Sequence, residues 1–265
     1  TQSHIGMLFA GAILPGLLGV LGYIAAVKWF VWRNPAAAPP AEGASRAERL
    51  TALYGIWPVL ALFGVVMGGI YSGFFTATES AGIGAVGALF FALASGNLSL
   101  RRIWQIIVET AIASTALLAI LFGAFVFVEF INLTGVHKGI ESFVSAAGIP
   151  PVVVISIMVL IYILLGCFLE TISMMLITIP IFFPIVIGLG YDPVWFGLLV
   201  VIVAEVGLIT PPIGINLFVI KSMAPDIRIQ SIFSGVVPFI VADLVRVTII
   251  VLFPGIVLWL PGLLF

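Results

Sequence analysis

Apolar positions in this chain do not alternate with polar ones. They gather into runs too long for the amphipathic helices of a water-soluble fold, separated by short polar joints. The first run, Ile5 to Val31, predicts a spanning helix that Pro15 kinks without ending, closed by Lys28 and Arg33. A Pro/Ala-rich polar joint, Arg33 to Leu50, reads as a solvent loop leading into the next helix. The second run is Leu50 to Ile70, and the third opens at Thr76, where Thr76 and Glu79 have capping-box spacing. Gly82, Gly84 and Gly87 in that third run suit close helix packing. Leu100, Ile103, Trp104 and Ile107 recur at helical spacing beside Arg101 and Arg102, predicting an interfacial helix that feeds a fourth span, about Ile106 to Ile131. Glu109 and Glu129 lie near the two ends of that span, within reach of headgroups. A second short interfacial helix is expected over 136–149, with Ile140, Phe143 and Val144 on its apolar side and His137, Lys138 and Glu141 on the other. The last span is expected from about Ile232 to Leu260.

Between these lies Pro150 to Met223, apolar but interrupted twice. One interruption is the cluster Glu170, Thr171, Ser173; the other is Thr210, Pro211, Pro212, flanked by Gly207 and Gly214. Lipid offers no partner for freed backbone N–H and C=O groups. Breaks at membrane depth therefore persist only inside protein or beside a water-filled cavity. Either 151–189 is a re-entrant hairpin whose tip carries Glu170 at depth, or its two limbs each cross and Glu170 sits in a surface turn. Limbs of this length permit both, since a crossing needs only about 20 residues.

Composition makes the class explicit. Of the residues 63% are apolar and 8% charged, against roughly 25% charged in soluble domains. The chain reads as an all-α polytopic membrane protein, and its net charge of −1 gives no reason to expect nucleic acid as a partner. The contacts expected for its surface are with membrane lipid. Arg33, Arg46, Arg49, Arg101 and Arg102 fall on one side and Lys138 on the other, which the positive-inside rule makes cytoplasmic and external respectively. Cys167 is the single cysteine and cannot form an internal disulfide. His4 and His137 are the only histidines, too few for a histidine-based metal site. HExxH, GxSxG and Cys/His pairings are absent from the sequence, so an embedded enzyme is not expected. In the last span Asp243 and Arg246 stand at i, i+3 and are expected to neutralise each other on one helix face.

The two interruptions suit transport of ions. Na⁺ takes oxygen ligands, which unwound backbone and Thr or Ser hydroxyls supply, while half-helix N-termini attract an anionic substrate. Thr210, the carbonyls around Gly207 to Pro212, and the residues Glu170 to Ser173 are the candidates, with Na⁺ as coupling ion and no other cofactor. The alternative is a plain kink in which Thr210 only satisfies a freed carbonyl. Glu205, in the helix before the second break, stands apart and is equally suited to face a partner helix.

The stretches GGIYSGFFTATESAGIGAVGAL, GCFLETISMMLITIPIFFPIVIGLGYDPVWFG and EVGLITPPIGINLFV resemble the large membrane (M) subunit of tripartite ATP-independent periplasmic (TRAP) transporters of the dicarboxylate type, in family order across essentially the whole chain. The resemblance implies a bacterial inner-membrane permease working as a Na⁺-driven elevator. It also implies a small four-helix membrane subunit and a periplasmic substrate-binding protein as partners, with an organic acid of C4-dicarboxylate, sialic acid or keto acid type as substrate. Inverted repeats, each with a re-entrant hairpin and a broken helix, are implied as well. Carried onto this chain, the family's site falls on Gly166, Glu170, Thr171 and Ser173 at the tip, and on Thr210, Pro211, Pro212, Gly214 and Asn216 at the break; Gly207 joins them from the reading of the break itself, and Thr210, Pro212 and Glu170 are the expected Na⁺ ligands.

The implied layout is 1–32 as the last helix of a first repeat, 33–50 as cytoplasmic linker, 51–135 as scaffold-type helices and 136–149 as an arm helix. A transport region follows at 150–224, with hairpin 151–189 and broken helix 193–224, and a final helix at 225–265. Two departures stand out: Glu170 where the family often has Asp, and Ala77 where it often has Pro. The family's first half has no counterpart here, so a fragment or one piece of a split subunit is expected. A binding-protein-independent Na⁺/dicarboxylate carrier is the alternative within transport. A passive scaffold, the other alternative, would be indifferent to Thr210→Ala and Glu170→Ala.

Overall fold

The computed structural model describes residues 5–35, 43, 45–96 and 98–265. His4, most of the middle of the 33–50 linker, and the side chains of His137 and Glu141 lie outside the described residues. Every regular element among the described residues is helical. Six helices are long and apolar enough to cross a membrane, which accords with an all-α polytopic membrane protein. The chain divides into two compact units, Ala38–Leu117 and the remainder.

The smaller unit holds α2 (Arg46–Tyr71) and α3 (Ala77–Ala94), packed on each other. Both begin with a capping box. Thr76 and Glu79 bond reciprocally as their spacing predicted, and Ser45 with Glu48 does the same at the start of α2. Gly84 and Gly87 face Val66 and Leu62 of α2, whereas Gly82 faces open space. Trp57 and Phe91 close the pair edge to face, with centroids 5.4 Å apart. Helix α4 (Leu100–Thr134) is continuous over 35 residues, so the expected interfacial segment is its first turns rather than a separate helix. No helix-breaking residue separates Trp104 from the apolar run that follows, and nothing local ends the helix there.

The larger unit is built on α8 (Pro193–Leu208), apolar but for Glu205 and buried over most of its surface, and therefore central rather than peripheral. Trp195, Phe196, Val203 and Val206 on it are at most 1% exposed. It starts sharply: Asp192 accepts from Val194 N–H at 2.7 Å, and Pro193 takes the first helical position, where its missing N–H costs nothing. Burial pushes the neighbouring Tyr191 phenol above its usual value, and its ring stacks on Trp195 at 4.5 Å.

Against α8 pack α1 (Ile5–Arg33), the hairpin α6 (Pro151–Gly166) and α7 (Thr171–Gly188), and α10 (Ile229–Leu252). Buried polar atoms here find partners. Tyr162 of α6 donates to Thr178 Oγ1 of α7 at 2.8 Å, the Thr178 proton going to the Met174 carbonyl at 2.8 Å, and Trp195 Nε1 donates to the Ile250 carbonyl at 3.0 Å. The short α5 (Val136–Ala146) packs on α7, burying Val144 and leaving Ile140 and Phe143 exposed. Helix α9 (Ile215–Met223) continues from α8 after a break.

The expected last span, Ile232 to Leu260, ends early. Helix α10 stops at Leu252, and two one-turn helices follow, α11 (Gly255–Leu258) and α12 (Pro261–Leu264). The cause is Pro254, whose ring excludes Phe253 from helical backbone; Phe253 sits at φ −127, ψ 72.

Candidate functional site

The two interruptions, some forty residues apart in sequence, meet in space. Gly166, the last residue of α6, lies against Gly207 near the end of α8, so that a methyl on Gly207 would stand 2.6 Å from the Gly166 Cα. Only a pair of glycines permits that approach. The turn Cys167–Glu170 is then laid along the break Ile209–Gly214. Gly214 N–H donates to the Cys167 carbonyl at 3.2 Å, and the Cys167 sulfur, whose proton has its nearer acceptor in the Ile163 carbonyl at 3.1 Å, lies 3.7 Å from the Pro211 carbonyl.

The break follows from its residues. Pro211 and Pro212, joined by a cis bond, have no N–H to return to the carbonyls of Gly207 and Leu208, so α8 cannot continue. Gly207 O is taken by Thr210 N–H at 3.0 Å instead. Gly214 then turns the chain with φ +50, in the left-handed region that favours glycine. The carbonyl oxygens of Thr210 and Leu208 crowd it, 2.9 and 3.1 Å from where a Cβ would stand. Both carbonyls therefore lie against Gly214, where the helix is unwound.

Thr210 Oγ1 donates its one proton to the Val206 carbonyl at 2.6 Å, so what remains on that oxygen is acceptor capacity only. On the tip, Glu170 is the N-cap of α7: it accepts from Ile172 N–H and Ser173 N–H, both at 3.0 Å, and from Ser173 Oγ at 3.1 Å. Glu170 is nevertheless exposed, and Thr171 and Ser173 are half-buried. Across the break, α9 starts with no side-chain cap. The N–H groups of Ile215 and Asn216 have no acceptor among the described residues, and the Asn216 side chain is exposed beside them.

The candidate ion and substrate residues on Gly166 to Ser173 and Gly207 to Asn216 thus lie at or within a turn of one junction, and Glu205 is exposed on α8, one turn ahead of the break. What the sequence did not disclose is the part played by backbone: the Leu208 and Thr210 carbonyls against Gly214, and Cys167 as the residue that ties tip to break. Its signal was only the glycines on either side.

A second polar cluster lies elsewhere in the same unit. Asp243 and Arg246 form their expected pair at 2.8 Å, and Tyr23 of α1 donates a further bond to Asp243 at 2.7 Å. Asp243 is 2% exposed, and Arg246 lies against Gly19 of α1.

A helical membrane unit with a broken central helix and a hairpin tip laid on the break has the architecture of a secondary-transporter permease. Residues 1–256 match the family described as "Tripartite ATP-independent periplasmic transporter, DctM component", and the chain belongs to that family, one of transporter components rather than enzymes. It is 32% identical over 264 residues to the C4-dicarboxylate TRAP transporter large permease protein DctM of Pseudomonas aeruginosa, covering 99% of this chain and 61% of that protein. It is 33% identical over 265 residues to the protein of the same name from Rhodobacter capsulatus, covering 100% and 60%. To the isethionate TRAP transporter permease protein DctMQ of Oleidesulfovibrio alaskensis it is 29% identical over 266 residues, covering 98% and 41%. The chain therefore spans about three fifths or less of the length of these relatives.

Proposed function

We propose that this chain supplies one half of the transport site of a Na⁺-driven permease that imports small organic anions, with the cation held at the junction of tip and break. The observation that carries it is the meeting of tip and break at Gly166 and Gly207, with the Leu208 and Thr210 carbonyls both against Gly214 and the Thr210 hydroxyl proton already committed. Oxygen lone pairs without competing donors suit a hard cation. Glu170 adds negative charge from the facing turn. Unlike α7, whose first N–H groups are taken by Glu170, α9 presents uncapped N–H groups and the Asn216 amide, which suits the anionic end of a substrate.

That division of labour supports a re-entrant hairpin rather than two crossings, because the tip shares the level of a break inside a spanning segment. The names of the relatives favour C4-dicarboxylate-like anions, with sialic and keto acids as further members of the expected range. A small four-helix membrane subunit, a periplasmic binding protein and a bacterial inner-membrane location belong to the same proposal.

The test is uptake into proteoliposomes holding the complete large subunit, its small partner and a loaded binding protein, with and without an inward Na⁺ gradient. Thr210→Ala should raise the Na⁺ concentration needed for half-maximal uptake about tenfold, the loss of roughly one hydrogen-bond-strength ligand. An unchanged Na⁺ requirement would reduce the break to a structural kink. Uptake without the binding protein would assign the chain to an independent Na⁺/dicarboxylate-type carrier.

A further inference from the structure

Helix α9 is lightly embedded. Of its nine residues only Leu217 is buried, against eleven of the sixteen in α8. One side chain cannot fix both the place and the direction of a helix about 13 Å long. Direction matters here, because the uncapped end of α9 opens at the junction.

Two ties to backbone make up the difference. At the N-terminal end Gly214 N–H is bonded to the Cys167 carbonyl. At the C-terminal end Lys221 Nζ donates to the carbonyls of Pro225 and Ile227, at 2.6 and 2.7 Å. A lysine in a last helical turn commonly bonds the last carbonyls of its own helix. Lys221 does something else: both acceptors lie beyond α9, in the corner that leads to α10.

The local sequence explains why that corner uses an ammonium. Pro225 excludes Ala224 from helical backbone, and Ala224 sits at φ −129, ψ 71. Pro225, Asp226 and Ile227 are all exposed, so apolar packing does not hold the corner, and α10 begins at Arg228 without a side-chain cap. Besides Lys221, the corner has one turn bond, from Ile227 N–H to the Ala224 carbonyl at 3.1 Å. A compact ammonium with three donors suits a bend in the chain where two carbonyls point inward. The bonds join α9 to the residue just before the cap of α10, and α10 is itself tied to α8 through Trp195 and the Ile250 carbonyl. Orientation thus passes from α8 to α10 to α9.

We propose that Lys221 is a positioning residue: by clamping this corner it sets the direction of α9, and so aims the uncapped N–H groups and Asn216 at the anionic end of the substrate. The inference rests on the reading of α9 as the anion end. Lys221 stands six residues past Ile215, about 9 Å along the helix, with two of its three donors occupied, and acts through α9 rather than on the substrate.

The test uses the complete large subunit with its small partner in detergent at saturating Na⁺, and takes two readings. Hydrogen exchange over 215–223 reports on the clamp. The concentration of succinate, N-acetylneuraminate or pyruvate that gives half of the maximal rise in thermal midpoint reports on the anion end. In Lys221→Met, which keeps the apolar stem, exchange over 215–223 should quicken and the half-saturating concentration should rise, each about fivefold, the order expected for losing one exposed hydrogen bond. Exchange over 193–208 should hold. Lys221→Arg, whose guanidinium can donate to both carbonyls, should return both readings to within about twofold of the native ones. If Lys221→Met yields no folded protein, Lys221→Gln takes its place with the same expectations. Unchanged exchange over 215–223, exchange that quickens equally over 193–208, or an unchanged acid requirement despite a loosened α9 would each overturn the proposal. A native subunit whose midpoint responds to none of the three acids would overturn the reading of α9 itself, and the inference with it; failure confined to the variants overturns the inference alone.

Discussion

The larger unit holds polar groups at two places inside apolar helices, and they are built in opposite ways. At the tip and break, polar side chains are exposed or half-buried, and the Leu208 carbonyl keeps its acceptor capacity because Pro212 stands where its N–H donor would be. Between α1 and α10 the charges are closed in: Asp243 meets both a guanidinium and a phenol, and almost none of it is accessible. Polarity in a membrane segment is thus a poor guide to function by itself. Spare bonding capacity, together with access, separates a place that can receive an ion from one that holds helices together.

Four single variants and one double variant sharpen this contrast. The largest effect is expected for Arg246→Met, which leaves Asp243 buried and uncompensated; such a loss costs about 3–5 kcal/mol, read as a fall in the unfolding free energy. Adding Asp243→Leu to it should restore most of that stability, and a double variant as unstable as the single one would show the pair to be more than self-neutralising. Tyr23→Phe removes one hydrogen bond to a charged group and should cost about 1.5–3 kcal/mol by the same measurement. Gly214→Ala forces a side chain into the left-handed region against two carbonyls, costing about 1–3 kcal/mol, and uptake should suffer beyond that loss because the carbonyls proposed as cation ligands are displaced. Smallest in stability is Ser173→Ala, which takes one of three bonds from Glu170 and should change folding by about 0.5–1.5 kcal/mol. Its larger signature should be in the Na⁺ dependence of uptake. If Ser173→Ala and Tyr23→Phe move stability and transport in the same proportion, the contrast between the two places fails.

Much of the architecture could be read from the chain because a bilayer allows few solutions: the runs around α1, α2, α3 and the α6–α7 limbs lie close to their expected bounds. The misses share a cause. Helix α4 runs unbroken because its amphipathic first turns differ in surroundings and not in backbone, and periodicity measures surroundings. The end of α10 at Leu252 was available in Pro254 but masked by continued apolar sequence to Leu260. At the site, residue types were legible and partners were not. Asp243 and Arg246 sit one turn apart and announce each other, but Tyr23 joins them from 220 positions away. Nothing along the chain says that Gly166 faces Gly207, because the spacing between two helices carries no trace of their register.

Cys167 gives the junction a chemical clock. It is the one cysteine of these 265 residues, is 1% exposed, and its sulfur is trapped where the hairpin turn meets the Pro211 carbonyl. A thiol reagent can reach it only when tip and break part. The rate at which a maleimide labels this position therefore measures how often the junction opens, and any cation that ties the two sides together should slow that rate in proportion to its occupancy.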